Sequence, residues 1–141
     1  MLAVTGATGQ IGSRVASGLA ALGLTQRLIV RDSARAPILP GAEVVQASSY
    51  GDFAAMLRAL TDVHTLFLVS ARDRFGIAHI SAKNHTIPPP YDRLQQHRAA
   101  VDAAAMAGVQ HVVYLSMMNA APDATFILAH DHFHTEEHIP R

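Results

Sequence analysis

The chain has 141 residues, which is enough for one domain with a buried core and too few for two ordinary domains. Half of the residues are hydrophobic (50%) and 16% are charged, a composition that excludes an intrinsically disordered chain. Eleven basic residues balance eleven acidic ones, so the charge gives no reason to expect nucleic acid as a partner. The chain has no cysteine, which excludes disulfides and thiolate metal sites.

The sequence also lacks the usual signals for export or membrane insertion. The N-terminus is apolar but carries no basic segment, so we do not expect a signal peptide. No run approaches the roughly 18 apolar residues that a membrane-spanning helix requires. We therefore expect a cytoplasmic protein that does not interact with a membrane.

The stretch LAVTGATGQIG, residues 2–12, combines an apolar strand, a glycine-rich turn and the start of a helix. Gly6 permits a tight turn after the strand, Gly9 lets the backbone approach a pyrophosphate, and Gly12 lets the helix lie close to the sheet. The first turn of that helix presents free N–H groups and the positive end of its dipole. The pattern predicts a dinucleotide site; the alternative is a tight turn that binds no ligand.

Two helices are predicted in the first half of the chain. The first continues from the glycine turn and ends at Gly23, and its apolar face consists of Ile11, Val15, Leu19 and Leu22. The second is short and can be capped by Asp52, and its residues facing the sheet are Met56, Leu57 and Leu60.

The second strand, at residues 27–30, ends next to a basic and an acidic residue, about 20 residues after the glycines. There, Asp32 would bind the ribose hydroxyls of NAD(H), whereas Arg31 would pair with the 2′-phosphate of NADP(H). Because Arg35 adds a second positive charge, we expect NADP(H) and keep NAD(H) as the alternative. Arg31 could also be a solvated charge at the end of a strand.

Two further strands follow. A connection broken by prolines at 36–42 leads into the third strand, at 43–47. The unbroken apolar run at 65–70 is typical of a central parallel strand buried on both faces. Its last residue, Ser70, is expected at the cofactor edge of the sheet, where ligands of open α/β sheets bind.

The second half of the chain begins with an irregular segment at 71–90, which contains three consecutive prolines. It is either a lid over the active-site edge or an insertion without functional consequence. A helix at 91–107 follows, with an apolar face of Leu94, Val101 and Ala105. The fifth strand spans 111–116, and a last helix starts at Asp123 or Ala124 and ends at Ile139.

The alternation of strands and helices predicts right-handed βαβ units and therefore an α/β fold. We expect a Rossmann-like, doubly wound parallel sheet of about five strands with helices on both faces. A single NAD(P)-binding domain would cover residues 1–141.

The residues available for catalysis differ from those of conventional short-chain dehydrogenases. Those enzymes use a YxxxK pair to protonate a carbonyl, but the only lysine here is Lys83, and Tyr114 lies within a strand. Hydride transfer to a quinone-like acceptor asks less of the protein, because the cofactor carries the chemistry. Ser116, His130 and His132 are the candidates for donating a hydrogen bond or proton to the acceptor. The alternative for Ser116 is an ordinary polar residue at a strand end.

The nine histidines also raise the possibility of a metal site. His130, His134 and His138 follow one another on one helical face, and HTEEH matches the HxxEH motif of some zinc proteases. A catalytic zinc also needs a third ligand from a distant segment. We predict no metal cofactor.

Several stretches together resemble the NmrA-like group of atypical short-chain dehydrogenase/reductases, and within it proteins related to NAD(P)H:quinone oxidoreductase. The resemblance rests on TGATGQIG, Arg31, LFLVS, AAMAGVQHVVYLS and APDATFILAHDHFHTEEHI. It implies that the pyrophosphate is bound by Gly6, Thr8, Gly9, Gln10 and Ile11. It also implies that Arg31 binds the adenosine phosphate, with Ser70 and Ser116 on the nicotinamide side.

The chain departs from this family in three places. Ser49 stands before Tyr50 where the family has an acidic residue, and residues 75–90 replace a short link. Relatives continue past the last helix, so the resemblance is to the N-terminal portion only, and the sheet is expected to be truncated. We expect the uncovered edge to cause either self-association, and so a homo-oligomer, or marginal solubility.

The function expected from this resemblance is hydride transfer from NADPH to a quinone-like or other small acceptor. Two alternatives stay open. One is a dinucleotide-binding redox sensor without catalysis, and the other is a truncated fragment without activity.

Overall fold

The computed structural model describes residues 1–70 and 93–139. The segment at 71–90, expected to be a lid or an insertion, lies outside these ranges. In chain order the elements are β1 (Leu2–Thr5), α1 (Gln10–Ala21), β2 (Gln26–Val30), a 3₁₀ turn (Ser33–Arg35), β3 (Ala42–Gln46), α2 (Phe53–Leu60), β4 (Thr65–Val69), α3 (Arg93–Met106), β5 (His111–Leu115) and α4 (Ile127–His138). The four strands given bounds from sequence are confirmed to within one residue at each end.

The five strands form one parallel sheet with β1 at its centre, in the order β3-β2-β1-β4-β5. From β1 the chain builds outward through β2 and β3, and then returns past β1 to form β4 on its other side. Connections that leave β1 and β4 in opposite directions open a crevice at the carboxyl ends of these strands, and ligands bind in such crevices. The predicted fold class is confirmed.

The two faces of the sheet pack against different helices. On one face, α1 packs over β1 and β2, and the buried residues of this layer are Val4, Ala7, Ala16, Leu28 and Val30. On the other face, α2 and α3 cover the sheet, and their buried residues include Met56, Leu60, Ala100, Val101 and Ala104. Successive strand residues therefore supply opposite cores, as the two-residue repeat of a strand requires.

The strand β4 is buried less evenly than predicted. Leu66 and Leu68 belong to the core under α2 and α3 and are fully buried. Phe67 and Val69 point to the opposite face and are half-buried. The reason is that α1 packs over β1 and β2 and does not extend fully across β4.

The packing face of α1 was predicted correctly for Val15 and Leu19, which pack against the core, and wrongly for Ile11 and Leu22. Ile11 and Leu22 are 48% and 76% exposed, whereas Gly12 and Ala16 are buried. Periodicity selected the largest apolar side chains, but the helix approaches the strand end so closely that only small residues fit between them.

Two predictions for the later helices were also wrong. In α3, Val101 is buried as predicted and Leu94 is half-buried, but Ala105 is exposed. The buried residues of this helix are Arg93, His97, Ala100, Val101, Ala103 and Ala104. In α4, the first helical residue is Ile127, because the preceding residues form turns in which the Ala124 amide donates to the Ala121 carbonyl at 3.2 Å. The expected cap of α2 is confirmed, since the Asp52 carboxylate accepts from the Ala55 amide at 3.0 Å.

Within the described ranges, none of the helices has both the length and the apolar character needed to cross a membrane.

Candidate dinucleotide site

The turn between β1 and α1 can be formed only with glycine at key positions. Gly6 has a φ of +64°, in the left-handed region that side chains disfavour. A Cβ on Gly12 would lie 2.6 Å from the Gly6 carbonyl carbon and 2.9 Å from the Thr5 carbonyl oxygen, closer than any real Cβ approaches. The helix is therefore seated directly on the end of β1.

The N-terminus of α1 is suited to an anion. Gly9 is its N-cap and provides no side-chain cap, and the first helical turn holds no acidic residue. The Gly9 amide itself donates to the Gly6 carbonyl at 2.9 Å, which closes the turn. The following N–H groups at the positive end of the helix can therefore donate to a phosphate. The residues present fit a dinucleotide pyrophosphate.

A cavity of about 380 Å³ lies at the carboxyl ends of the central strands. The described residues that line it are Gly6, Thr8, Gly9, Ile29, Val30, Arg31, Arg35, Ala47, Ser49, Tyr50, Val69, Ser70 and Gln96. Five of the predicted cofactor residues are among them: Gly6, Thr8, Gly9, Arg31 and Ser70. The other three, Gln10, Ile11 and Gly12, are in the first turn of α1 and do not line this cavity.

Sequence reasoning did not assign a role to several of these lining residues. Ala47 and Val69 occupy the ends of β3 and β4, where strand position alone could have identified them. Gln96 lies on α3, and no sequence signal distinguished it from the neighbouring Gln95.

The charges around the cavity favour a phosphate over ribose hydroxyls. Arg31 and Arg35 both line the cavity, and no described lining residue is acidic. The Asp32 carboxylate instead accepts from the Ala34 amide at 3.0 Å and caps the 3₁₀ turn. The acidic residue that would recognise NAD(H) therefore has a local structural partner, and the two arginines remain at the cavity wall.

The floor of the cavity is held by three hydrogen bonds around the end of β4. The Thr5 hydroxyl accepts from the Val69 amide at 2.8 Å and donates to the Phe67 carbonyl at 3.3 Å. The Tyr50 hydroxyl donates to the Val69 carbonyl at 2.9 Å. Burial raises the pKa of Tyr50 to about 12, so its hydroxyl stays protonated.

The three candidate catalytic residues do not line this cavity. Ser116 donates to the Glu136 carboxylate. His130 lies with its Nε2 atom 3.1 Å from Nε2 of His134. His132 is buried, with Nδ1 2.8 Å from the Tyr114 hydroxyl. Their catalytic roles stay predictions.

The His132–Tyr114 contact belongs to a buried polar network that joins α3, β5 and α4. His97 Nδ1 lies 2.9 Å from the Thr135 hydroxyl and 3.2 Å from the Tyr114 hydroxyl. The Thr135 hydroxyl in turn donates to the Asp131 carbonyl at 2.8 Å, so it can accept from His97. We call these four residues, His97, Tyr114, His132 and Thr135, the histidine network.

Burial keeps the histidine network uncharged. It lowers the pKa of His97 from 6.5 to about 3, with a further lowering by the nearby His132 and Arg93. Burial also lowers the pKa of His132 and raises the pKa of the Tyr114 hydroxyl. At neutral pH all of these groups are neutral and bond to one another.

The three histidines on one face of α4, His130, His134 and His138, do not form a metal site with other described residues. His138 pairs with Asp102 of α3 at 2.7 Å, while His130 and His134 contact each other. No group of three or more potential metal ligands occurs in residues 1–70 and 93–139.

The glycine turn, the sheet order and the cavity agree with the comparison to known families. A model of the NmrA-like family matches residues 1–140. The chain belongs to the NmrA-like family. The resemblance noted from sequence is confirmed, and it extends over nearly the whole chain.

Two curated relatives are named as an oxidoreductase and a reductase. The chain is 34% identical over 140 residues to quinone oxidoreductase 2 of Escherichia coli (strain K12), covering 97% of the chain and 43% of that protein. It is 40% identical over 126 residues to the (4-alkanoyl-5-oxo-2,5-dihydrofuran-3-yl)methyl phosphate reductase of Streptomyces griseus, covering 88% of the chain and 37% of that protein. The chain thus spans less than half the length of these relatives.

Solved structures of the family have the same fold over a similar fraction. The NADPH-dependent quinone oxidoreductase of Escherichia coli, complexed with NADPH, has a TM-score of 0.75 and covers 97% of this chain, which matches 44% of that chain at 34% identity. The triphenylmethane reductase of a Citrobacter species, complexed with NADP(H), has a TM-score of 0.76 and 30% identity, with coverages of 99% and 45%.

Proposed function

We propose that the chain is the dinucleotide-binding portion of an NADPH-dependent reductase that transfers hydride to a small, quinone-like or similar acceptor. The relatives support this class, because they are named as reductases and two of their structures hold NADPH or NADP(H). The observation that carries the proposal is the cavity beside the glycine turn, with two arginines and no described acidic residue in its wall.

Each part of the cavity has a proposed role in binding. Thr8, Gly9 and the first turn of α1, including the Gln10 and Ile11 amides, would hold the pyrophosphate. Arg31 would pair with the adenosine 2′-phosphate, and Ser70 would face the nicotinamide half. The bound cofactor would supply the hydride, and the protein would bind and orient it. Ser116, His130 and His132 remain the proposed donors to the acceptor.

A second candidate function is a redox sensor that binds the dinucleotide without turnover. Its support is that Ser116, His130 and His132 each have partners away from the cavity. Turnover of NADPH with a panel of quinones separates the two functions, because the sensor binds NADPH without consuming it. We also propose a cytoplasmic location and self-association, which the absence of cysteine and the exposed Val113 on β5 respectively support.

The cofactor assignment is tested by titrating the chain with NADPH and with NADH. For Arg31→Ala we expect NADPH to bind about 10- to 100-fold more weakly, the effect of losing a charge-assisted hydrogen bond, and NADH to bind within about twofold of wild type. The control is Arg14→Ala, because Arg14 is exposed on α1 and does not line the cavity.

Equal losses for both dinucleotides in Arg31→Ala would contradict the 2′-phosphate role. If neither dinucleotide binds wild type at millimolar concentration, the reductase and the sensor are both rejected, and the inactive fragment remains.

A further inference from the structure

The end of β4 lacks a neighbouring strand on the side of β1. β1 stops at Thr5 and the chain turns away at Gly6, and the last β4 residue paired with β1 is Phe67. β4 nevertheless continues to Val69. Backbone groups that are withdrawn from water without a partner cost free energy, so the amide and carbonyl of Val69 need other partners.

Two side chains supply those partners. The Thr5 hydroxyl accepts from the Val69 amide, and the Tyr50 hydroxyl donates to the Val69 carbonyl. Thr5 is fully buried, and its hydroxyl also donates to the Phe67 carbonyl, which fixes the direction of its proton. Thr5 and Tyr50 thus replace the missing strand and hold both polar groups of one residue.

The residue they hold connects the glycine turn with the far wall of the cavity. A Cβ on Gly6 would lie 3.1 Å from Cβ of Val69, so the turn rests against this side chain. Ser70 follows Val69 directly, and Gly6, Val69 and Ser70 all line the cavity. The position of Val69 therefore sets the spacing between the glycine turn and Ser70.

The sheet order identifies which half of a dinucleotide this spacing concerns. Arg31 follows β2, on one side of β1, and β4 lies on the other side. A pyrophosphate at the start of α1 sits beside β1, so a dinucleotide with its adenosine at Arg31 has its nicotinamide half over β4.

We propose that Thr5 and Tyr50 are positioning residues that fix the end of β4 and thereby shape the nicotinamide half of the cavity. The inference rests on the proposed function, because it requires that a dinucleotide binds in this cavity. Thr5 is not among the described lining residues, so it acts on the ligand through β4. Tyr50 lines the cavity with its ring, and its hydroxyl holds β4.

The test compares two ligands in two variants. Thr5→Val and Tyr50→Phe each remove one hydroxyl and keep the shape of the side chain. The ligands are NADPH, which fills both halves of the cavity, and adenosine 2′,5′-bisphosphate, which carries only the adenosine half. Tyr50→Phe removes one hydrogen bond and Thr5→Val removes two. We expect Tyr50→Phe to bind NADPH about 5- to 10-fold more weakly and Thr5→Val at least as weakly, and both to bind the bisphosphate within about twofold of wild type.

Two matched controls separate positioning from general loss of stability. Thr61→Val removes an exposed hydroxyl that donates to the Leu57 carbonyl at 3.2 Å. Tyr114→Phe removes a hydroxyl from the histidine network, which does not line the cavity. Both controls should leave the ratio of the two affinities unchanged, even where Tyr114→Phe lowers the melting temperature.

The outcomes are distinct. Equal weakening of both ligands, or no weakening of NADPH in a folded variant, overturns the inference and leaves the proposed function intact. If wild type binds neither ligand, the proposed function fails and the inference fails with it. If Thr5→Val does not fold, Tyr50→Phe decides the question alone, because its ring still fills the same space.

Discussion

The centre of the sheet and its β5 edge use polar side chains in opposite ways. Around β1 and β2, the first turn of α1 and the arginines Arg31 and Arg35 are at a cavity and can accept an incoming ligand. Around β5 and α4, the polar side chains bond to one another and do not line the cavity. The first arrangement keeps binding capacity for a ligand, whereas the second uses that capacity to join three elements of the fold. A cluster of side chains that could donate or accept protons is therefore not by itself evidence of a ligand-binding site.

The largest expected effect is at the glycine turn. Gly12→Ala places a methyl group within 2.6 Å of the Gly6 backbone, so we expect a loss of about 3 kcal/mol in the free energy of unfolding and loss of NADPH binding. Gly18→Ala is the matched control, because a Cβ there has no neighbour within 4 Å. This control should raise the unfolding free energy by about 0.5–1 kcal/mol. Urea unfolding and a NADPH titration measure both, and a folded, NADPH-binding Gly12→Ala would contradict the close approach.

The histidine network should make its end of the fold sensitive to acid. In the unfolded chain His97 takes up a proton near its usual pKa of 6.5, but in the folded protein it does so only near pH 3. The unfolded state therefore binds more protons between these values, and the unfolding free energy falls as the pH is lowered. For one histidine the slope reaches about 1.4 kcal/mol per pH unit, or about 2 kcal/mol between pH 6.5 and pH 5. His132 shifts in the same direction.

Urea unfolding at a series of pH values measures this slope. His97→Gln removes the titrating group and should flatten the slope between pH 6.5 and pH 5, although it lowers stability at pH 7. Thr61→Val provides the control, because it removes an exposed hydroxyl and no titrating group, and it should keep the wild-type slope. Identical slopes for wild type and His97→Gln would show that the network is not the origin of the acid sensitivity.

The smallest expected effect concerns Ser116. Its hydroxyl donates to Glu136 and does not line the cavity, so Ser116→Ala should change the NADPH affinity by less than about twofold. If the chain turns over NADPH with a quinone, a lower kcat in the same variant would support the predicted donor role. A large loss of NADPH affinity would contradict the separation of the cavity at the centre of the sheet from the polar side chains around β5 and α4.

Local patterns predicted most of the elements and five of the thirteen described residues that line the cavity. The strands, the glycine turn and the Asp52 cap each depend on residues within a few positions of one another, and all were found. Arg31 and Ser70 were predicted for the cavity wall because the ends of parallel strands meet at one edge of a sheet, and both line it.

Apart from the start of α4, which a local turn delays to Ile127, what the sequence reasoning got wrong or missed concerns partners that are distant in the chain. The helix α1 lies so close to β1 that its buried positions are the small residues Gly12 and Ala16. Helical periodicity carries no information about this distance. The histidine network joins His97 to Thr135, 38 residues later, and neither residue was singled out by a motif. The hydrogen bond from the Val69 amide to the Thr5 hydroxyl joins residues that are 64 positions apart, and it was missed for the same reason.

The sequence alone determined the order of the strands and helices and the glycine turn, because these follow from the backbone preferences of neighbouring residues. The tertiary structure decided which polar groups line the cavity and which bond to each other. Asp32 caps the 3₁₀ turn, His132 bonds to the Tyr114 hydroxyl, and the Thr5 hydroxyl accepts from the amide at the unpaired end of β4. Each of these hydrogen bonds forms with a group that the packed elements leave without another partner. Which groups these are is determined only when the sheet is assembled.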